Sequence, residues 1–385
     1  MSAQKITSEK HYVSANSTRL LLLITVLLGL SACATPRDAE VPEIIKKEES
    51  EAYSQKLTIV AVGDIMLGGT ARPELEKFGY DYPFANVESL LTGADITFGN
   101  LEGPLTHGGS SDVEKKYRFR SPPDKVAPAL KRAGFDVVSL ANNHTLDYGQ
   151  QGLVDTMAAL DDAGIAYAGA GLDASAARRA VVLTVNGSRI AFLAYSLTFP
   201  EEFWAGDSRA GTAFGHAEHV KRDVTKAGEN ADIVVVSFHW GREGTTELRD
   251  YQMVLGRAAI DSGAALVLGH HPHILQGIER YGKGVIFYSL GNFVFGSYSK
   301  TAQRSAIVSA NFNNNELESI QIQPIDVNNI NVVFQPVLLT GDESKDVIDH
   351  LNLLSNGLGV ALQYQDGVGK ILLTEGRTPI KKASK

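Results

Sequence analysis

Three histidines fall within four positions, His270, His271 and His273, directly after the apolar run 266–268 and Gly269. Imidazole is the commonest side-chain ligand for transition metals and carries protons near neutral pH. His271 and His273 are two apart, so an extended segment would project both rings to one side, and Pro272 stiffens the link between them. Five more clusters follow apolar runs in the same way. Gly63-Asp64 follows 58–62, Gly99-Asn100-Leu101-Glu102 follows 96–98, and Asn142-Asn143-His144 follows 137–140. His239-Trp240-Gly241-Arg242-Glu243 follows 234–238, and Gly291-Asn292 follows 285–290. Asn100 and Glu102 flank Leu101, which would put an amide oxygen and a carboxylate on one face, both able to meet a metal. Asn143 and His144 pair a metal-binding amide with a group able to act as general acid. Each cluster alone has a plainer reading: Asp64 as a turn or cap residue, Asn292 as the close of a turn, Trp240 as packing rather than a stacking surface. Together they point to a divalent metal, and mixed amide, carboxylate and imidazole ligands suit manganese, iron or zinc.

Residues spread this widely meet only if strands bring them to a common edge. In a parallel α/β sheet ligands bind outside the carboxyl ends of the strands, where these clusters would converge. Apolar runs at 57–62, 96–98, 137–140, 234–238 and 265–268 alternate with helix-like segments at 124–133, 152–163, 218–227 and 251–262. Asn186-Gly187 joins strand patterns at 181–185 and 189–195 as a hairpin. Later runs at 278–280, 285–290, 306–312, 317–322 and 331–339 read as strands with short turns, predicting an antiparallel portion. A helix at 346–354 and a strand at 367–373 complete the pattern. There is no Gly-x-Ser-x-Gly elbow, P-loop or Rossmann glycine motif, and the single cysteine lies at position 33, so other common chemistries lose support.

At 385 residues, 44% hydrophobic and 21% charged, the chain can bury a full core. Its formal charge of −8 argues against holding nucleic acid by bulk electrostatics. Lys5, Lys10 and Arg19 precede an apolar stretch at 20–30 that suits a signal peptide better than a spanning helix. It ends in Leu30-Ser31-Ala32-Cys33, which resembles a bacterial lipobox, with lipidation expected at Cys33; an ordinary export signal or a structural cysteine is the alternative. Ala34 rather than aspartate follows, so the resemblance implies an envelope protein on the outer membrane, facing the periplasm. The expected organisation is a leader at 1–32, a charged tether at 33–55, a main domain at 56–325 and a C-terminal extension at 326–385.

In their order, Gly63-Asp64-Ile65-Met66, Asn100-Leu101-Glu102, Asn142-Asn143-His144 with Asp147-Tyr148-Gly149, His239 to Glu243, Gly269 to His273 and Ser289 to Phe293 closely resemble the CapA family of poly-γ-glutamate capsule biosynthesis proteins. The match spans roughly 57–354, and the family is related to calcineurin-like metallophosphoesterases. The resemblance implies an α/β fold, a metallophosphoesterase-like β-sandwich flanked by helices, and a centre for one or two divalent ions. It implies ligands at Asp64, Asn143, His239, His271 and His273, with His270 able to replace either of the last two through a register shift. Asn100 and Glu102 join them as candidates. His144 corresponds to the catalytic histidine. Glu243 is a second catalytic candidate, and Asn142, Arg242 and Asn292 are candidates for holding substrate. Phosphoesterases carry histidine where this chain has Met66 and a bridging aspartate where it has Asn100. Two readings follow: a metal-dependent hydrolase or transferase acting on phosphate ester or γ-linked amide bonds, or an accessory protein guiding an anionic polymer beside polyglutamate synthase components.

Overall fold

The computed structural model describes residues 55–373, so the expected leader, Cys33 and nearly all of the expected tether lie outside the described residues. The run at 57–62 becomes the middle of a longer strand, Lys56–Met66, buried along almost its whole length. Its apolar residues are continuous because both faces are covered. Ile59 and Ala61 face an interior cluster with Phe192, Val235, Leu268 and Phe287. Val60 and Val62 face the opposite way, toward Leu75, Leu130 and Leu153.

That alternation resolves the architecture into layers. A ten-stranded sheet has Lys56–Met66 at its centre, with the parallel strands Ile96–Leu101, Val137–Ser139 and Ala166–Ala168 on one side. On the other side lie antiparallel Arg304–Asn313 and Glu316–Asp326, then Val368–Leu372 and Gln363–Gln365. A six-stranded sheet runs Ile278–Tyr281, Gly284–Phe287, Leu266–His270, Ile233–His239, Ser188–Ser196, Val181–Val185. The interior cluster lies between the two sheets. Helices Arg72–Phe78, Pro123–Arg132 and Gly149–Ala163 cover the outer face of the first sheet, and Ala217–Gly228 and Asp250–Asp261 that of the second. The molecule is thus the helix-flanked β-sandwich that the resemblance implied, rather than one open parallel sheet.

The Asn186-Gly187 hairpin is present, with both residues at positive φ and Val185 paired to Ser188. The late antiparallel portion is also present. Two expectations need correction. The expected strand at 331–339 is instead a short helix, Asn329–Val332, followed by a two-residue strand, Val337–Leu338. Val333 and Phe334 sit at φ 51 and 62, and Pro336 has no N–H to give, so an extended ladder cannot run through them. The expected strand at 285–290 is cut short at Phe287, and a separate strand follows it. Gly284–Phe287 stays in the second sheet, the chain turns at Gly291 (φ 72), and Asn292–Phe295 pairs with Lys56–Met66 in the first. At this crossing a Cβ on Gly63 would lie 1.9 Å from the Gly291 carbonyl oxygen, so no side chain fits there.

Candidate metal centre

The two sheets bring their strand ends to one place. Asp64 lies near the end of Lys56–Met66, Asn100 near the end of Ile96–Leu101 and Glu102 just beyond it. His239 ends Ile233–His239, and His270 ends the neighbouring Leu266–His270, paired to it in register. The chain then turns through His271 and His273, both at positive φ, which swings their rings back across the cleft.

These side chains interlock. Asp64 Oδ1 accepts from Asn100 Nδ2 at 2.8 Å, and Asp64 Oδ2 accepts from the His271 backbone N–H at 3.2 Å. His273 Nδ1 stands 3.1 Å from Asp64 Oδ2 and 2.9 Å from Asn292 Oδ1. Glu102 Oε1 lies 3.8 Å from His239 Nε2 and 3.7 Å from His273 Nε2. Asp64, Glu102 and His239 each offer an atom within 4.8 Å of the others, as do Glu102, His271 and His273. Asn143 Oδ1 meets His239 Nε2 at 2.9 Å.

Of six buried side-chain polar atoms without a hydrogen-bond partner among the described residues, four belong here: Glu102 Oε1, both ring nitrogens of His270, and His271 Nδ1. A buried polar atom left unpaired costs about 1–3 kcal/mol, so such a concentration fits groups shaped to hold a cation. His270 Nδ1 is 3.2 Å from Asp64 Oδ1 without hydrogen-bond geometry, and its ring lies toward Phe98 in the inter-sheet core. The His-x-His pair that faces Glu102 is therefore His271 and His273.

Charge is unevenly held. Burial works against an ionised Asp64, but His270 and His273 beside it hold its carboxyl well below the usual range. Burial and repulsion from Asp64 push Glu102 well above it. Burial, reinforced by His273, lowers His271 to about 3, and burial with His271 keeps His239 neutral. His273 rises to about 10, because Glu102 and Asp64 outweigh its burial.

Asn100 is placed differently from a bridging ligand. Its Nδ2 reaches Asp64, Glu102 Oε2 at 3.4 Å and His239 Nδ1 at 3.3 Å, while its Oδ1 accepts from Asn142 Nδ2 at 3.2 Å. The amide thus gives protons to two carboxylates that would otherwise repel. Asn142 also donates to the Leu101 carbonyl and caps the His144 N–H, so it braces the loop. Met66 is buried, with its methyl group against Gly69 and Gly296.

His144 is buried beside the cluster, 7% exposed. Its Nδ1 contacts Asp147 Oδ2 at 2.7 Å, which orients the ring, and Phe119 packs on it at 4.4 Å between centroids. Burial lowers its pKa, with Asp147 opposing. Lys115 Nζ lies 2.5 Å from Asp147 Oδ1 and 3.1 Å from His144 Nδ1, and also donates to the Asn143 carbonyl. Lys115, Phe119 and the role of Asp147 were missed by sequence reasoning. Asp147 could have been found from its i+3 spacing to His144; Lys115 comes from an irregular loop with no apolar run before it. Arg242 and Glu243 are exposed. Glu243 acts on Glu102 and His273 only through its field. Trp240 is fully buried, stacked on Phe238 and bonded to the Tyr288 carbonyl, so it packs and cannot meet a substrate.

The strand-end motifs all fall within a match at residues 58–297 to the family model described as bacterial capsule synthesis protein PGA_cap. The chain belongs to that family. Within it, the chain is 34% identical over 314 residues to the capsule biosynthesis protein CapA of Bacillus anthracis, covering 80% of this chain and 75% of that one. It is 34% identical over 332 residues to the PGA biosynthesis protein CapA of Bacillus subtilis (strain 168), covering 86% and 84%. A probable polyglutamine synthesis accessory protein of Mycobacterium tuberculosis is 33% identical over 285 residues, covering 71% and 74%. Among solved structures, the calcineurin-like phosphoesterase YfkN of Bacillus subtilis aligns with 67% of this chain and 85% of its own at 14% identity and a TM-score of 0.40. The PGA_cap match takes in all of the interlocked residues from Asp64 to Asn292 and ends just after the crossing strand Asn292–Phe295.

Proposed function

We propose that this PGA_cap protein is a metal-dependent hydrolase or transferase acting on a poly-γ-glutamate-like capsule polymer or a phosphate-containing precursor of it. The observation that carries the reading is the meeting of Glu102, whose Oε1 is unpaired, and His271, whose Nδ1 is unpaired, with a deprotonated Asp64 and a neutral His239. Asp64, Glu102, His239, His271 and His273 would hold a divalent manganese, iron or zinc ion, with Asn143 in reach beside His239. Bound there, the ion would supply Lewis-acid polarisation of the scissile bond. The chain's own residues do the rest. Asp147 fixes His144 through Nδ1, which leaves Nε2 to exchange a proton with the leaving group. Lys115 neutralises Asp147, so the carboxylate orients the ring without making it strongly basic. Asn100 keeps Asp64 and Glu102 together, which supports a single ion rather than a bridged pair.

The proposal places the protein in the cell envelope, lipid-anchored through Cys33, beside polymer-synthase components. Metal analysis of protein purified without added metal, compared with His239→Ala and His271→Ala, tests the centre. A wild type that holds no metal, with variants no different, sinks the enzyme reading. Hydrolysis assays on phosphate esters and γ-glutamyl polymers then separate the two chemistries. The accessory reading has its own support in the name of the mycobacterial relative, a probable polyglutamine synthesis accessory protein, and in the amide where a bridging carboxylate is expected. It predicts polymer binding without turnover.

A further inference from the structure

The segment that delivers Lys115 to His144 has a second face. Val113, Lys115 and Phe119 are partly buried, whereas Lys116, Arg118 and Arg120 are exposed. The inward residues grip the catalytic end of the site: Lys115 on Asp147, Phe119 on the His144 and Phe295 rings, and the Phe119 N–H on Asp147 Oδ2 at 2.7 Å. The outward cations have no carboxylate partner among the described residues. Arg118 donates to the Val113 carbonyl at 2.7 Å, leaving the rest of its guanidinium free of bonds, and Arg120 lies over the Tyr148 ring at 4.8 Å with one bond to the His107 carbonyl. Lys116 lies over the exposed Tyr117 ring at 4.8 Å. The acids Asp112 and Glu114 precede this run, so its positive stretch begins at Lys115 beside the site.

A chain of formal charge −8 has no net attraction for a polyanion, so a local cationic run must supply it. An uncompensated cationic run on the segment that packs against the buried centre is where such a polymer would settle. We infer that Lys116, Arg118 and Arg120 form the docking face for an extended polycarboxylate chain, which they hold alongside His144. This rests on the polymer reading above and adds the surface that recognises the polymer. Each exposed charge contact contributes little, so affinity comes from several together and falls with salt.

The test is anisotropy of a fluorescein-labelled poly-γ-glutamate oligomer against the full chain at low and at physiological salt. Changing Lys116, Arg118 and Arg120 to Gln together should weaken binding about ten-fold and flatten its salt dependence. Arg118→Lys with Arg120→Lys should retain it, as should Lys221→Gln, Lys226→Gln and Lys345→Gln on exposed surface outside this segment. Equal binding by the triple-Gln variant, or no binding by the wild type, overturns the inference. Retained docking without turnover instead leaves the surface standing and removes the hydrolase reading.

Discussion

In the metal-centre reading proposed above, Asn100 sets how many ions the site takes. Its amide nitrogen bridges Asp64 and Glu102, so replacing it with a carboxylate would exchange a proton donor for a ligand and a charge. Asn100→Asp should raise bound metal from about one toward two ions per chain after loading, measured by elemental analysis; unchanged stoichiometry would count against this role. The histidines govern pH behaviour. His271 binds a proton in the unfolded chain but, folded, only near pH 3, so the unfolded state carries more protons between about 3 and 6.5 and stability rises with pH there. His273 runs the other way. Held protonated up to about 10, it stabilises the folded chain below 6.5, a contribution lost as pH rises toward 10. The denaturation midpoint of metal-free protein should therefore fall on both sides of near-neutral pH, and a monotonic profile would refute the assignment. The histidine cluster was visible because its spacing after a strand is a local signal, but the extended segment expected at His271 and His273 is instead a turn with both residues at positive φ. Asn100's orientation was not visible, since it depends on Asn142, on a different strand end.

At the level of elements, the strands that carry the site were readable because burial on both faces makes their apolar runs continuous. Lys56–Met66 and Ile233–His239 are of this kind. What could not be read was which sheet each strand joins, because the partner lies far along the chain and periodicity holds no record of it. The loop carrying Lys115 and Phe119 was opaque for a related reason: its inward residues are fixed by Asp147 and His144, not by a repeat. The contact between Gly63 and Gly291 gives the sharpest test here. Gly63→Ala would force backbone apart where the first sheet receives Asn292–Phe295, at a cost of about 3 kcal/mol. Urea denaturation should show it, with reduced metal content as the accompanying sign. A variant as stable as wild type would mean the junction yields easily.

Across the whole molecule, Asp64 and Glu102 lie at or just past strand ends of one sheet, and His239, His271 and His273 at or just past strand ends of the other. A ligand that binds only the folded state stabilises it by mass action, so an ion spanning both sheets ties its affinity to their cohesion. Chelation should lower the melting temperature by several degrees, and re-addition of the native metal should restore it. An unchanged melt would separate metal binding from the sandwich. The same arrangement bears on the order of events during folding. Because the donors are strung from Asp64 to His273, no early fragment of the chain holds a complete set, and long-range strand pairing is slow to form. On the proposed metal reading, loading would therefore be a late step, taken after the second sheet closes. If the chain is exported unfolded, the metal it acquires is set by the compartment in which folding finishes, as much as by the preference of its ligands.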